Sequence, residues 1–202
     1  MGRRSDHNRT ELEELILHAG QALMAEGGFA AFSAREVAKR IGYSIGTIYN
    51  VFGSLDRLVL AINSRTFGLW ADAMRDHLAV AGEDRIAALV DAYFDFAEGH
   101  PHLWMAIYDH RPPAETPLPE DYLPRRAALL GLVESEIARA VPGADAAALA
   151  RSLVATVHGH CAFALGGTFA LLGERDPRGA ALARVRETLS ANAPRASGGD
   201  RP

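Results

Sequence analysis

The sequence predicts an all-α chain. Three observations carry that prediction: apolar residues recur at helical spacing through most of the 202 residues, glycine and proline clusters interrupt the pattern, and neither strand-like alternation nor an internal repeat is found. The apolar share of 49% is ample for a core. No apolar run reaches the roughly 18 residues of a membrane span, and Met1 to Asn8 lacks the apolar core of a secretory signal, so a cytoplasmic protein with no membrane partner is expected. The single cysteine, Cys161, excludes an internal disulfide and any multi-cysteine metal knuckle.

Helix one is expected from about Thr10 to Glu26. Leu12, Leu15, Ile16, Ala19 and Leu23 form its apolar side, Glu11, Glu13 and Glu14 suit its first turn through the helix dipole, and Gly27-Gly28 stops it. Helix two begins at Ser33, which is followed three residues later by Glu36, the arrangement of a capping box. Val37 and Ile41, with Ala34 and Ala38 beside them, make one face apolar, and Gly42 is placed to end the helix in a left-handed conformation. Ser44 caps a short third helix, Ile45 to Val51, with Ile45 and Ile48 facing inward. A long fourth helix follows Ser54, carries Leu58, Ile62, Leu69 and Met74, and ends before Gly82. Further helices are expected over Asp84 to Glu98, Leu103 to Asp109, Leu123 to Ala140, Asp145 to Leu172 and Pro177 to Ala191, separated by the breaks at His100-Pro101, Arg111-Pro112-Pro113, Pro117 to Pro119 and Pro142-Gly143. The expected organisation is a helix-turn-helix domain over residues 1–53, a larger helical domain over 54–192 joined through helix four, and a disordered Gly/Pro/Ser-rich tail over 193–202.

Two short helices joined by a glycine-bearing turn make a helix-turn-helix, and Phe32 to Leu60 therefore points to double-stranded DNA. The major groove, roughly 12 Å wide, admits one helix whose first turn reaches base edges while its amides approach phosphates. Gly46 keeps that approach close, Thr47 offers a hydroxyl and a methyl, Asn50 can pair with adenine, and Tyr49 can set its phenol on a phosphate. The candidate DNA set is Arg4, Arg9, Ser33, Arg35, Ser44, Ile45, Gly46, Thr47, Tyr49, Asn50 and Arg57. A formal charge of −4 excludes binding through bulk positive charge. Local charge must act instead, and Arg3, Arg4 and Arg9 form a basic lead-in able to track phosphates or a minor groove.

The order Gly28-Phe29, Ser33, Val37-Ala38, Gly42-Tyr43-Ser44, Thr47-Ile48-Tyr49 and Phe52 resembles the DNA-binding motif of the TetR family of transcriptional regulators. The resemblance implies that Thr47 and Tyr49 contact DNA from the recognition helix and that Gly46 sits where the backbone nears phosphate. It also implies a ligand-responsive repressor, not an enzyme, bound to its operator as a homodimer. One departure matters: Leu55 stands where family members often carry a lysine at the start of the fourth helix, with Arg57 two residues on, so a phosphate anchor is lost or moved. HPHLWMAIYDHR and TVHGHCAFALGG resemble the C-terminal domain of a subgroup whose signature contains a Trp-His-Gly run; here Val157 replaces the tryptophan.

The helix expected from Asp145 to Leu172 mixes Leu149, Leu153, Val157, Phe163 and Leu171 with small residues at Ala155, Gly159, Ala162, Gly166 and Gly167. With Ala180, Leu182, Val185 and Leu189 of the final helix it can form half of a four-helix seam in a homodimer. Tyr93, Phe94, Trp104, Tyr108, His158, Cys161 and Phe163 are the candidates to line a cavity for a small apolar or aromatic effector with one polar handle. No cofactor is expected. The alternative is a metal sensor built from His100, His102, His110, His158, His160 and Cys161, although His158 and His160 point apart on one helix and cannot chelate one ion together. Ser152, His158 and Asp145 are residue types of nucleophilic catalysis, but no G-x-S-x-G elbow presents the serine.

Overall fold

Local capping chemistry sets the first helices. In the computed structural model, which describes residues 8–194, α1 spans Arg9–Ala31. The Asn8 side chain accepts from the Glu11 amide at 2.9 Å while the Glu11 carboxylate accepts from the Asn8 amide at 3.0 Å, a complete capping box. At Ser33 the box expected from the sequence is used differently. The hydroxyl accepts from the Glu36 amide at 3.3 Å, and the Glu36 carboxylate lies 3.8 Å from the Lys39 ammonium. The regular helix of α1 breaks at Gly28, where a stop is expected, and one more turn follows to Ala31.

α2 (Ala34–Ile41) ends at Gly42 with φ 73°, and α3 (Ile45–Phe52) is capped by Ser44, whose hydroxyl accepts from the Thr47 amide at 3.1 Å. A Cβ at position 42 would meet nothing within 4 Å, so the cost of a side chain there is purely that of the left-handed backbone. Gly42→Ala is therefore expected to destabilise the surrounding unit by about 1–2 kcal/mol, read as a lower denaturation midpoint with an unchanged slope.

The remaining elements are α4 (Leu55–Val80), α5 (Arg85–Gly99), α6 (Pro101–Asp109), α7 (Tyr122–Ala140), α8 (Ala146–Leu165), α9 (Thr168–Leu172) and α10 (Pro177–Asn192), with no strand among the described residues. No single helix among them is long and apolar enough to cross a membrane. Two boundaries differ from the sequence expectation. Pro101 does not merely separate helices but opens α6, because the first helical position needs no N–H and proline's fixed φ already suits it. The single helix expected from Asp145 to Leu172 is two, because Gly166-Gly167, read from the sequence as small packing residues, ends α8, with Gly167 left-handed at φ 73°.

The packing divides the chain into two units, one within Met1–Leu69 and His100–Arg126, the other within Trp70–Gly99 and Ala127–Pro202. The boundary falls inside α4, which gives its first part to one unit and its last part to the other, and α6 belongs to the first unit. The core of that unit joins Ile16, Met24, Val37, Ile48, Leu58 and Ile62 to Leu103 and Ala106 of α6. α6 is further fastened by side chains. His102 Nδ1 lies 2.8 Å from the Ala25 carbonyl, Asn63 donates to the Ala106 carbonyl at 3.4 Å, and the buried His110 donates from Nε2 to Asp56 at 2.9 Å while its ring lies 5.4 Å from that of Phe29.

In the second unit α5, α8 and α10 pack together through residues that include Tyr93, Phe94, Leu153, Cys161, Val185 and Leu189. Arg85 grips the buried Glu136 in a two-pronged pair at 2.7 and 2.8 Å, and this hydrogen bonding holds the Glu136 carboxyl below its ordinary range. Arg178 of α10 bonds Asp91, Asp95 and Glu98 of α5 at 3.5, 2.6 and 3.2 Å. His77 lies 3.0 Å from the Ala73 carbonyl through Nδ1 and 2.9 Å from Asp95 through Nε2. Both contacts are acceptors, so the doubly protonated ring satisfies both, and the backbone bond first, then Asp95, raises the His77 pKa. A raised folded pKa means that this stabilisation is full below the ordinary histidine value near 6.5 and is lost as pH climbs through the raised one. The melting-temperature gap between the parent and His77→Gln is accordingly expected to be widest near pH ~6 and to close at alkaline pH.

Candidate functional site

The outward face of α3 is the prominent feature of the first unit. On an eight-residue helix, residues four apart share a face, and Ile48 with Phe52 takes the inward one at 0% and 6% exposure. Ile45 and Tyr49 are the complementary pair and stand outward at 43% and 42% exposure. This corrects the inward placement of Ile45 expected from the sequence. Gly46 and Asn50 are exposed beside them, and Thr47 is half-buried, its Oγ1 3.0 Å from the Ser44 hydroxyl. The Ser44 contacts fix the Thr47 side chain at the N-terminal end of α3.

Elsewhere in the first unit, Arg9 and Arg35 are exposed, and Ser33 is half-buried with its hydroxyl engaged at the start of α2. Arg3 and Arg4 lie outside the described residues. Arg40 is held by Glu26 in paired bonds of 2.7 and 2.6 Å. Leu55, at the position where a lysine is common in the family, packs half-buried against the core. The exposed cation of that turn is Arg57, whose guanidinium lies so close to Gly53 that a Cβ there would be 3.2 Å from Nη1. The start of α4 thus exposes the guanidinium of Arg57, while residue 55 offers no charge.

In the second unit an apolar cavity of about 40 Å³ is lined by Met74, Ile86, Leu89, Val90, Tyr93, Val133, Ile137, Leu153, Val154, Val157 and Val185. Of the seven aromatic and polar residues expected to line a cavity, Tyr93 lines this one. The others are dispersed by the fold. Phe94 and Cys161 are buried, Phe163 is exposed at 48%, and Trp104 and Tyr108 lie in the first unit, where their rings meet edge-on at 5.6 Å. His158 is half-buried, with Nδ1 3.0 Å from the Tyr93 hydroxyl, and desolvation holds its pKa below the ordinary value. Burial pushes the Cys161 thiol up to about 12. The sequence signal for the cavity lies in the aliphatic residues Leu153, Val154 and Val157, which periodicity alone cannot separate from ordinary core. A larger cleft of about 810 Å³ in the first unit carries charges that pair locally, Arg65 with Glu14 at 2.9 Å and Arg125 with Asp121 at 2.8 Å.

Among the described residues no group of three His, Cys, Asp or Glu side chains is placed to hold a metal ion. His102, His110 and His158 are engaged by Ala25, Asp56 and Tyr93, and His160 Nδ1 lies 2.8 Å from the Thr156 carbonyl. Asp145 accepts from the Ala148 amide at the start of α8. Leu153, Val157, Val185 and Leu189, named for a seam between two chains, are buried within one chain. The outer side of α8 instead presents Ser152, Ala155 and Phe163, with the half-buried Gly159 between them.

Two family models match the chain: bacterial regulatory proteins of the tetR family over residues 16–62, and the tetracyclin repressor-like C-terminal domain over residues 86–189. The HTH-type transcriptional repressor KstR of Mycobacterium tuberculosis is 38% identical over 72 residues, 36% of this chain and 32% of KstR. The chain spans from about a third to about half of the length of the curated relatives it matches. A solved structure of a protein with unknown function from Rhodococcus sp. RHA1 has a TM-score of 0.73 at 22% identity, covering 96% of this chain and 100% of that one. The multidrug binding protein EbrR, complexed with imidazole, has a TM-score of 0.61 at 21% identity over 96% of this chain and 100% of its own. These structural likenesses are of fold.

Proposed function

The chain belongs to the TetR family of bacterial regulatory proteins, and from that premise we propose that it is a ligand-responsive transcriptional repressor. It acts in the cytoplasm as a homodimer on a palindromic operator and is released by a small effector. The observation that carries this reading is the outward face of α3, where Ile45, Gly46, Tyr49 and Asn50 are exposed together while Ile48 and Phe52 anchor the helix from behind. Base edges are read by Thr47 and Asn50, and phosphates are held by Tyr49, Arg57, Arg9 and Arg35, with Arg4 as part of the N-terminal lead-in. The small residues on the outer side of α8 support pairing of two chains, which sets two recognition helices on half-sites about 34 Å apart or a multiple of it.

The effector enters the aliphatic cavity of the second unit. At about 40 Å³ the cavity lies well below the roughly 300–1,000 Å³ of ordinary ligand sites, so binding must part its walls. Met74 of α4 is one of those walls, and α4 also carries Leu58 and Ile62 of the first unit's core. Wedging the cavity open therefore biases α4 and shifts the population away from the operator-competent form. KstR is named a repressor and EbrR a multidrug binding protein, and both names support this reading.

Selection from random-sequence duplexes, followed by mass measurement of the complex, tests it. A palindromic consensus holding two chains per duplex is expected. Failure to enrich any sequence over the starting pool would overturn the repressor reading.

A further inference from the structure

Only Gly53 and Ser54 separate the end of α3 from the start of α4, whose first turn carries Asp56 and then Arg57. Arg57 is exposed, and the side chain of Asp56 is 40% exposed. A carboxylate free to turn outward there would repel the phosphates that Arg57 is to hold, and two like charges about 4 Å apart in water cost about fivefold in affinity. We propose that His110 is a positioning residue for operator binding: it holds the Asp56 carboxylate against α6, so that Arg57 is the charge this turn presents to DNA. The inference rests on the reading of α3 and Arg57 as the DNA-binding face.

Three observations argue for it. First, the His110 side chain is 3% exposed and its Nε2 donates to Asp56 Oδ1 at 2.9 Å, so the carboxylate is drawn toward the interior of the first unit. The backbone of His110 is fixed where α6 meets α4: its amide donates to the Ala106 carbonyl at 3.2 Å, and Asn63 of α4 donates to that same carbonyl at 3.4 Å. Second, α4 does not need Asp56 as its cap. The Ser54 hydroxyl already accepts from the Arg57 amide at 3.2 Å, which leaves the carboxylate to His110. Third, packing alone favours an apolar ring at residue 110. The imidazole lies 5.4 Å from the ring of Phe29, and its Nδ1 is buried with no hydrogen-bond partner among the described residues, a cost that a phenyl ring avoids. What the imidazole supplies over a phenyl ring is the Nε2–H on Asp56.

Titration of the selected duplex with the full chain as parent, His110→Phe, Asp56→Asn and the double variant, at about 0.05 and about 0.3 M salt, tests this alongside melting temperatures. His110→Phe is expected to weaken binding about fivefold at the lower salt and by a smaller factor at the higher, where the freed carboxylate is screened. Asp56→Asn keeps an oxygen that accepts from His110 and should change affinity by less than about twofold, and in the double variant it should restore the parent's affinity. Losses that follow the melting temperature at both salts, or a double variant no tighter than His110→Phe, would reduce the contact to packing and overturn the inference. If His110→Phe is unfolded at the assay temperature, His110→Leu replaces it in the same cycle. A parent that prefers no duplex overturns the repressor reading itself, whereas a selective parent with an uncoupled cycle overturns the role of His110 alone.

Discussion

Thr47→Ala is expected to relax operator selectivity at one base pair in each half-site, with a loss of about 1–3 kcal/mol per specific contact. The alanine keeps the Thr47 amide bonded to Ser44 at 3.1 Å and so preserves the helix cap, while the hydroxyl that lies 3.0 Å from the Ser44 hydroxyl disappears together with the methyl. The helix survives and the reading group is lost. Tyr49→Phe differs in kind. Its hydroxyl sits on a side chain 42% exposed, suited to a phosphate, and its removal should weaken binding to all sequences by similar factors. Affinities of both variants for the selected duplex and for its single-base substitutions decide the matter. Equal losses on every sequence for both variants would contradict the division of roles.

Trp104→Ala is expected to have the largest effect on stability. Trp104 is fully buried on α6, beside Leu103 and Ala106 of the first unit's core. Truncating a large buried aromatic side chain costs about 3–5 kcal/mol, a large part of the roughly 5–15 kcal/mol that holds a domain folded. Because α6 belongs to the unit that contains α1, α2 and α3, the loss should appear as impaired operator binding at ~37 °C even though residue 104 is far in sequence from the recognition helix. Trp104→Phe should recover much of both. Chemical denaturation alongside operator titration provides the check. Unimpaired DNA binding in a protein destabilised by several kcal/mol would mean that α6 does not support the DNA-binding helices.

The parts of the fold legible in the sequence are those governed by neighbours along the chain. Ser44 and Gly42 declare their helix ends because a hydroxyl cap and a left-handed glycine need nothing beyond three or four residues. The Asn8 and Glu11 box carries the same signal, hidden beside the charged lead-in. Isoleucine is usually core, which favours an inward Ile45, whereas the pairing of Ile48 with Phe52 fixes which face of α3 is buried. Gly166-Gly167 is ambiguous by composition, since the same residues suit close packing and helix termination. Trp104 and Tyr108 share a chemical type with Tyr93, and only the long-range packing of α6 on α1 assigns them to the first unit. The cavity is hidden for a related reason. Valines and leucines lining a small void have the same periodicity as those filling a core.

The most direct measurement is fluorescence anisotropy of the purified protein on its selected duplex and on a scrambled duplex of the same composition, across a salt series, with Thr47→Ala/Tyr49→Phe beside the parent. Saturable binding is predicted for the selected duplex, roughly a thousandfold or more tighter than for the scrambled one. It should weaken steeply as salt rises and be lost in the double variant. Equal affinity for both duplexes, or an undiminished affinity in the double variant, would contradict recognition of DNA by the exposed face of α3.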